Sequence, residues 1–212
     1  MPPDPKRRRL LLAGAAGLLA GPARAARLLD PTPAQTPGPF YPPAPPLEYD
    51  HDLTRVPGSS GIAQGRITDL RGRLLDRNGR PIPSARLEIW QCDATGRSPH
   101  PRERGGARDP HFQGFGRTVT DAAGRYDFRT LRPVPYPGRT PHIHLAAFPP
   151  GGSTFITQIY VRDEPRNADD FLFQRIPPEQ RPLVLADFVP APRDGVELAA
   201  TFEVILDVTP RD

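Results

Sequence analysis

Leu70-Arg71-Gly72-Arg73-Leu74-Leu75-Asp76-Arg77-Asn78-Gly79-Arg80-Pro81-Ile82-Pro83-Ser84-Ala85-Arg86-Leu87-Glu88-Ile89-Trp90-Gln91-Cys92 holds the pattern that decides the fold. Leu70 to Leu75 and Ala85 to Cys92 are short apolar-rich runs of strand character. Between them Asp76-Arg77-Asn78-Gly79 is a turn in which Gly supplies the left-handed position that other residues reach only at a steric cost. The same pattern recurs downstream. Arg117 to Thr120 and Arg125 to Phe128 flank the turn Asp121-Ala122-Ala123-Gly124 as a hairpin. His142 to Phe148, Thr154 to Val161, Pro182 to Phe188 and Val196 to Val208 supply further strands, and Asp163 to Ile176 has room for one short helix. Short strands at this spacing predict an all-β chain, an antiparallel β-sandwich.

Composition agrees. The 212 residues include 31 Pro and 19 Gly, which disfavours long helices because Pro lacks a donor and clashes inside a helix. The stretch from Leu28 to Pro57 is dense in Pro and has no apolar period, so it predicts an extended N-terminal arm. Phe40, Tyr41, Leu47 and Tyr49 give that arm side chains to pack against a body. The predicted division is therefore residues 1–25 as a targeting segment, 26–61 as the Pro-rich arm and 62–212 as the sandwich.

The net charge of +4 is misleading, because Met1 to Ala25 carries Lys6, Arg7, Arg8, Arg9 and Arg24 against Asp4 alone. The remainder has 23 basic and 23 acidic residues, which gives no reason to expect nucleic acid or anionic lipid as a partner. The first segment has a positive stretch, an apolar run from Leu10 to Ala20 and a small-residue site at Ala23-Arg24-Ala25. Those are the parts of a secretory signal, and the run is too short to span a bilayer as a helix. Arg7-Arg8-Arg9-Leu10-Leu11 resembles the twin-arginine export signal of bacteria, which places the chain in the periplasm or outside the cell. Cys92 is the only cysteine, so no internal disulfide supports the fold even in an oxidising compartment.

The chemistry concentrates in Tyr136-Pro137-Gly138-Arg139-Thr140-Pro141-His142-Ile143-His144. On a strand His142 and His144 project from one face, while Ile143 and Leu145 face the other way into the core. Two imidazoles so placed converge on one ion, although a pair of surface histidines on a sheet has the same spacing. Tyr136 lies six residues upstream across a Pro-Gly turn, and a phenolate is a hard anionic donor suited to ferric iron. A His-His-Tyr set differs from the thiolates of structural zinc and from the oxygen cages of calcium.

The sequence resembles the intradiol ring-cleavage dioxygenases, the protocatechuate and catechol dioxygenase superfamily. The resemblance runs through Gln35-Thr36-Pro37-Gly38-Pro39-Phe40-Tyr41-Pro42, Leu87-Glu88-Ile89-Trp90-Gln91 and the stretch from Asp109 to Thr118. It continues through Tyr126 to Thr130, Tyr136 to His144 and Ile156 to Tyr160. The resemblance implies a β-sandwich holding non-haem Fe(3+) with two Tyr and two His, and cleavage of a catechol by O2 between its two hydroxylated carbons to a muconate-type diacid. It implies that Tyr136, His142 and His144 are metal ligands, with Tyr136 the one substrate displaces. Arg139 matches the arginine beside the bound catecholate, and Gln158 a nearby glutamine. Members often assemble, and the arm can embrace a second copy in a homo-oligomer as readily as its own body.

One position departs from the family. The remaining tyrosine ligand follows a Gly-Arg pair beyond the Trp-Gln strand, and here Gly96-Arg97 is followed by Ser98. A serine hydroxyl is too weakly acidic to replace a phenolate. Water or hydroxide, His100, or an arm tyrosine (Tyr41 or Tyr49) are the candidate replacements. The other outcome is a non-catalytic sandwich, a binding module or partner subunit with a degenerate site. A zinc hydrolase is a weaker third reading, because no Glu or Asp lies within the histidine block to act as base. The loop from Ser98 to His111 would form the pocket wall, and its Arg102, Arg104 and Arg108 read as solvated charge.

Overall fold

The computed structural model describes residues 28–44, 50–193 and 195–207. The targeting segment, Leu47 and Tyr49 lie outside the described residues, as does Val208 at the end of the last predicted strand. Among the described residues, ten strands form two five-stranded sheets. The first contains β1 (Ile67–Asp76), β4 (Arg125–Leu131), β8 (Phe188–Arg193), β9 (Val196–Thr201) and β10 (Val204–Leu206). The second runs in the order β3 (Phe115–Val119), β2 (Arg86–Trp90), β5 (His142–Phe148), β6 (Phe155–Val161) and β7 (Leu185–Ala186). The turn expected at Asp76 to Gly79 is present, with Gly79 at φ 77° and the Asp76 carboxylate accepting from the N–H groups of Asn78 and Arg80.

The inward faces meet in one core. Leu70, Leu74, Phe128 and Val204 of the first sheet join Leu87, Ile89, Ile143, Leu145 and Ile159 of the second, all nearly inaccessible to water. Burying each such side chain contributes roughly 1.5–3 kcal/mol. The sandwich is as expected, and its sheets are mixed rather than strictly antiparallel. β1 pairs in parallel with β9 over residues 68–71 and with β10 over 74–76, and β6 pairs in parallel with β7.

Two local expectations are corrected. Pro182 to Phe188 is not a continuous strand: Pro178–Val184 is 3-10 helical, and strand pairing begins only at Leu185. Pro177, Pro178 and Pro182 fix φ and supply no N–H, which suits a tight turn and not a ladder. Val196 to Val208 is broken at Phe202, whose N–H donates to the Arg71 carbonyl while its own carbonyl accepts from the Tyr126 hydroxyl at 2.6 Å. The break carries the chain from one half of β1 to the other. Between Asp163 and Ile176 lie a 3-10 turn, Pro165–Ala168, and one helical turn, α1 (Phe171–Gln174).

The outer face of the second sheet is covered on two sides. The β6 to β7 connection packs Phe173, Ile176 and Val184 against Tyr160. The arm crosses from the other side, with the Thr32 N–H on the Ile205 carbonyl and the Gln35 N–H on the Ile156 carbonyl. The described arm is thus held by its own body. Among the described residues, no helix is long and apolar enough to cross a membrane.

Candidate functional site

His142 and His144 lie on β5, opposite Tyr160 and Gln158 of β6, and His144 also lies opposite Trp90 of β2. Ile143 and Leu145 between and beyond them point into the core, as their alternation predicts. Because the arm and the β6 to β7 connection cover this outer face, both imidazoles are buried and not displayed on a surface. Pro137 and Gly138, the latter at φ 80°, turn the chain so that the Arg139 N–H donates to the Tyr136 carbonyl at 2.9 Å. That turn brings the Tyr136 ring back over β5.

Three heteroatoms converge. The Tyr136 oxygen is 3.3 Å from His142 Nε2, and His142 Nε2 is 3.2 Å from His144 Nε2. Donors bound at about 2.0–2.1 Å to one ion lie roughly 2.9–3.4 Å apart by coordination geometry, so these separations suit a shared cation. His142 Nδ1 lies 2.7 Å from the Thr140 carbonyl, which can only accept, so Nδ1 carries the proton and Nε2 presents its lone pair. Burial, helped by the charge of Arg139, lowers the His142 pKa to about 3, and burial pushes His144 well below its ordinary value. Both rings are therefore neutral donors. Two bare nitrogens facing each other at 3.2 Å repel unless a proton or cation lies between them. Trp90 stacks on His144 with rings 4.9 Å apart and 5° from parallel.

Arg139 is fixed at three points. Its Nε donates to the Asp170 carboxylate at 2.8 Å, Nη2 to Gln158 Oε1 at 2.5 Å and Nη1 to the Tyr136 oxygen at 3.4 Å. Burial raises the Tyr136 pKa and the Arg139 charge partly offsets it. Asp170 is a residue that sequence reasoning missed. It caps α1 by accepting from the Leu172 and Phe173 N–H groups, and it also takes the Thr140 N–H. Burial alone would raise its pKa, but these N–H donors and Arg139 hold it below the usual carboxylate range. An Asp before the apolar run Phe171-Leu172-Phe173 is an N-cap signal, which offered the one sequence clue to it.

Ser98 lies in the wall of the same site. A cavity of about 20 Å³, room for a single water-sized group, is lined by Phe40, Cys92, Ser98 and Glu103 together with Tyr136, His142 and His144. Burial, reinforced by Asp93, pushes the Cys92 thiol up to about 12, so it is not a thiolate donor. His100 is not brought to the cavity: its Nδ1 accepts from the Arg102 N–H, and its ring meets the edge of Phe40. Tyr41 is turned elsewhere, donating to Glu88 at 2.7 Å and packing on Trp90. Tyr126 is committed to the Phe202 carbonyl in the other sheet. Tyr160 donates to Gln35 and Gln158. Arg102, Arg104 and Arg108 are exposed, as expected of solvated loop charge. Among the described residues no group of three His, Cys, Asp or Glu could hold a metal.

On the other side of Tyr136 and Arg139 is a wider cavity of about 230 Å³, whose lining includes Thr140, Arg166 and Asp170. Another cavity, of about 450 Å³, is over the first sheet, where Arg71, Arg129 and Arg193 surround Asp69. Its arginines are paired with that carboxylate, and it holds neither phenol nor histidine pair.

Comparison with known proteins places this geometry in context. A family profile described as Dioxygenase matches residues 36–207. The protocatechuate 3,4-dioxygenase beta chain of Burkholderia cepacia is 36% identical over 176 residues, covering 77% of this chain and 75% of its own. Catechol 1,2-dioxygenase of Candida albicans is 33% identical over 159 residues, 64% of this chain, and the match spans about half (49%) of that relative. The solved dioxygenase domain of a dioxygenase carbohydrate-binding protein fusion from Streptomyces sp. SirexAA-E superposes with a TM-score of 0.65 at 32% identity, over 85% of this chain and 100% of its own.

Proposed function

This chain belongs to the intradiol ring-cleavage dioxygenase family, and from that membership we propose that it opens a catechol-type ring with O2, between the two hydroxylated carbons, to a muconate-type diacid. The observation that carries the reading is the convergence of the Tyr136 oxygen, His142 Nε2 and His144 Nε2 within 3.2–3.3 Å steps, with Arg139 held beside them. That set of one phenol and two neutral imidazoles fits non-haem ferric iron, with Tyr136, His142 and His144 as its ligands. Iron held there would supply the Lewis-acid and redox activation that makes a catecholate reactive toward O2.

The remaining work falls to the chain. Tyr136, whose oxygen lies beside His142 Nε2 and the Arg139 guanidinium, would take a substrate proton on that oxygen. Arg139 stabilises the negative charge that develops on the ring, in a buried site where such a charge gains most. Gln158 and Asp170 hold the guanidinium in place through two separate hydrogen bonds. The 20 Å³ cavity is far too small for a six-membered ring, so substrate binding requires Tyr136 or Phe40 to move, and the wider cavity beside Tyr136 and Arg139 is the approach we assign. The signal-like first segment supports export, with the metal taken up by the folded chain before it crosses the membrane.

Iron-loaded protein is expected to show a phenolate-to-iron charge-transfer band in the visible, and Tyr136→Phe to lose most of it. Oxygen consumption with catechol, protocatechuate and hydroxyquinol identifies the substrate. A colourless ferric protein would remove the ligand assignment. Ser98 in the cavity wall favours a second reading, a partner subunit that keeps the metal without turnover. It predicts the band without oxygen consumption on any of the three.

A further inference from the structure

We propose that Glu103 is the charge-balancing carboxylate of the cation site, facing it across the cavity that Ser98 also lines. The proposal rests on the ferric reading above. Two neutral imidazoles and the single Tyr136 phenolate neutralise only one charge of a trivalent ion. Arg139 adds a positive charge 3.4 Å from that phenolate and is itself matched by Asp170. The site is buried, where uncompensated charge is costly, so it needs a second anion.

Among the described residues lining the small cavity, Glu103 is the one carboxylate. Its position follows from the loop. The His100 N–H donates to the Ser98 carbonyl at 2.8 Å and the Glu103 N–H to the His100 carbonyl at 2.9 Å, a compact pair of turns that returns the side chain to its starting point. There Glu103 Oε2 accepts from the Ser98 N–H at 3.2 Å and Oε1 from the Gly105 N–H at 2.8 Å. Two N–H donors, with Arg97 at 3.8 Å, favour the ionised form. The other carboxylates of this loop, Asp93 and Asp109, are absent from the lining and are occupied, Asp93 by N–H groups of Thr95, Arg97 and Asp109 and Asp109 by those of Gln64 and His111. Glu103 does not join the two histidines as a metal-holding group, so it acts across the cavity by charge. Ser98 lines the same cavity as Glu103 and the histidines, with a side chain far smaller than the tyrosine the resemblance implies at that position.

The test is the ratio of ferric to ferrous affinity, measured on the full chain against competing chelators. Glu103→Gln is expected to lower that ratio at least about tenfold, equivalent to a rise of ~59 mV in the one-electron midpoint potential, while the Tyr136 charge-transfer band persists. Ser98→Tyr combined with Glu103→Gln is expected to restore the ratio, because a second phenolate makes the carboxylate redundant. Asp93→Asn, which disturbs the same loop without removing a charge from the cavity, should leave the ratio unchanged. An unchanged ratio in Glu103→Gln, or equal loss of both oxidation states, overturns the proposal and leaves Glu103 a loop brace. If Glu103→Gln does not fold, the comparison is made between Ser98→Tyr and the double variant, and a further tenfold fall in the double variant also overturns it. Wild-type protein that shows no band and holds no ferric iron defeats the ferric reading itself, a result distinct from the others.

Discussion

Arg139 shows how one side chain depends on residues remote in sequence. Its guanidinium bonds Gln158, 19 positions on, and Asp170, 31 positions on, and both of that ion pair's side chains are almost fully buried. Removing one partner of a buried pair leaves the other uncompensated, which typically costs about 3–5 kcal/mol. Asp170→Asn should therefore lower the thermal midpoint by ~6–20 °C in a chain of this size and cut turnover while leaving the charge-transfer band in place. A calorimetric scan with a parallel visible spectrum checks both. Residue-scale legibility follows distance along the chain. Tyr136, His142 and His144 were readable together because a Pro-Gly turn and a period of two are local rules. Arg139 and Gln158 became candidates through resemblance alone, and Asp170 and Glu103 were missed because their roles arise from long-range packing and loop closure. The same limit left His100 and Tyr41 as candidate replacements at Ser98, and each proves to be engaged elsewhere.

At the scale of elements, most strands were legible, but the proline-bearing β8 was not and neither was strand partnership. Alternation marks a face but does not name the neighbour, so the parallel pairing of β1 with β9 and β10 carried no sequence signal. The break at Phe202 depends on Gly72 directly across from it. A Cβ there would lie 1.7 Å from the Phe202 carbonyl oxygen and 2.7 Å from the Tyr126 hydroxyl. Gly72→Ala should cost about 3 kcal/mol by overpacking, lowering the midpoint by ~6–12 °C, a loss seen in denaturant melts. The loop after β2 has a different support. Burial would raise the Asp93 pKa, but N–H donors from Asp109, Arg97 and Thr95 together with the Thr95 hydroxyl hold it below the usual carboxylate range. A depressed folded-state pKa contributes stability that is present above the unfolded value near 3.9 and is lost as pH falls through the folded one. Thermal midpoints measured from pH 7 to pH 3 should therefore fall at the acid end, and Asp93→Asn should flatten that part of the curve from a lower starting level.

Across the whole molecule, the arm was legible as extended chain from its prolines, but its route was not. Thr32 meets β10 across 173 positions of sequence: its N–H donates to the Ile205 carbonyl and its hydroxyl accepts the Ile205 N–H at 2.9 Å. Thr32→Ala orphans a buried donor, at about 1–3 kcal/mol, and should lower the midpoint by ~2–12 °C while leaving the core spectrum native. From that anchor the arm runs to Phe40 in the wall of the site. A stitch joining residues so far apart closes only after Ile205 has left the ribosome, and such closures are slow. Sealing of the centre thus waits on β10: a growing chain that has not yet presented Ile205 carries the pocket without its anchored cover.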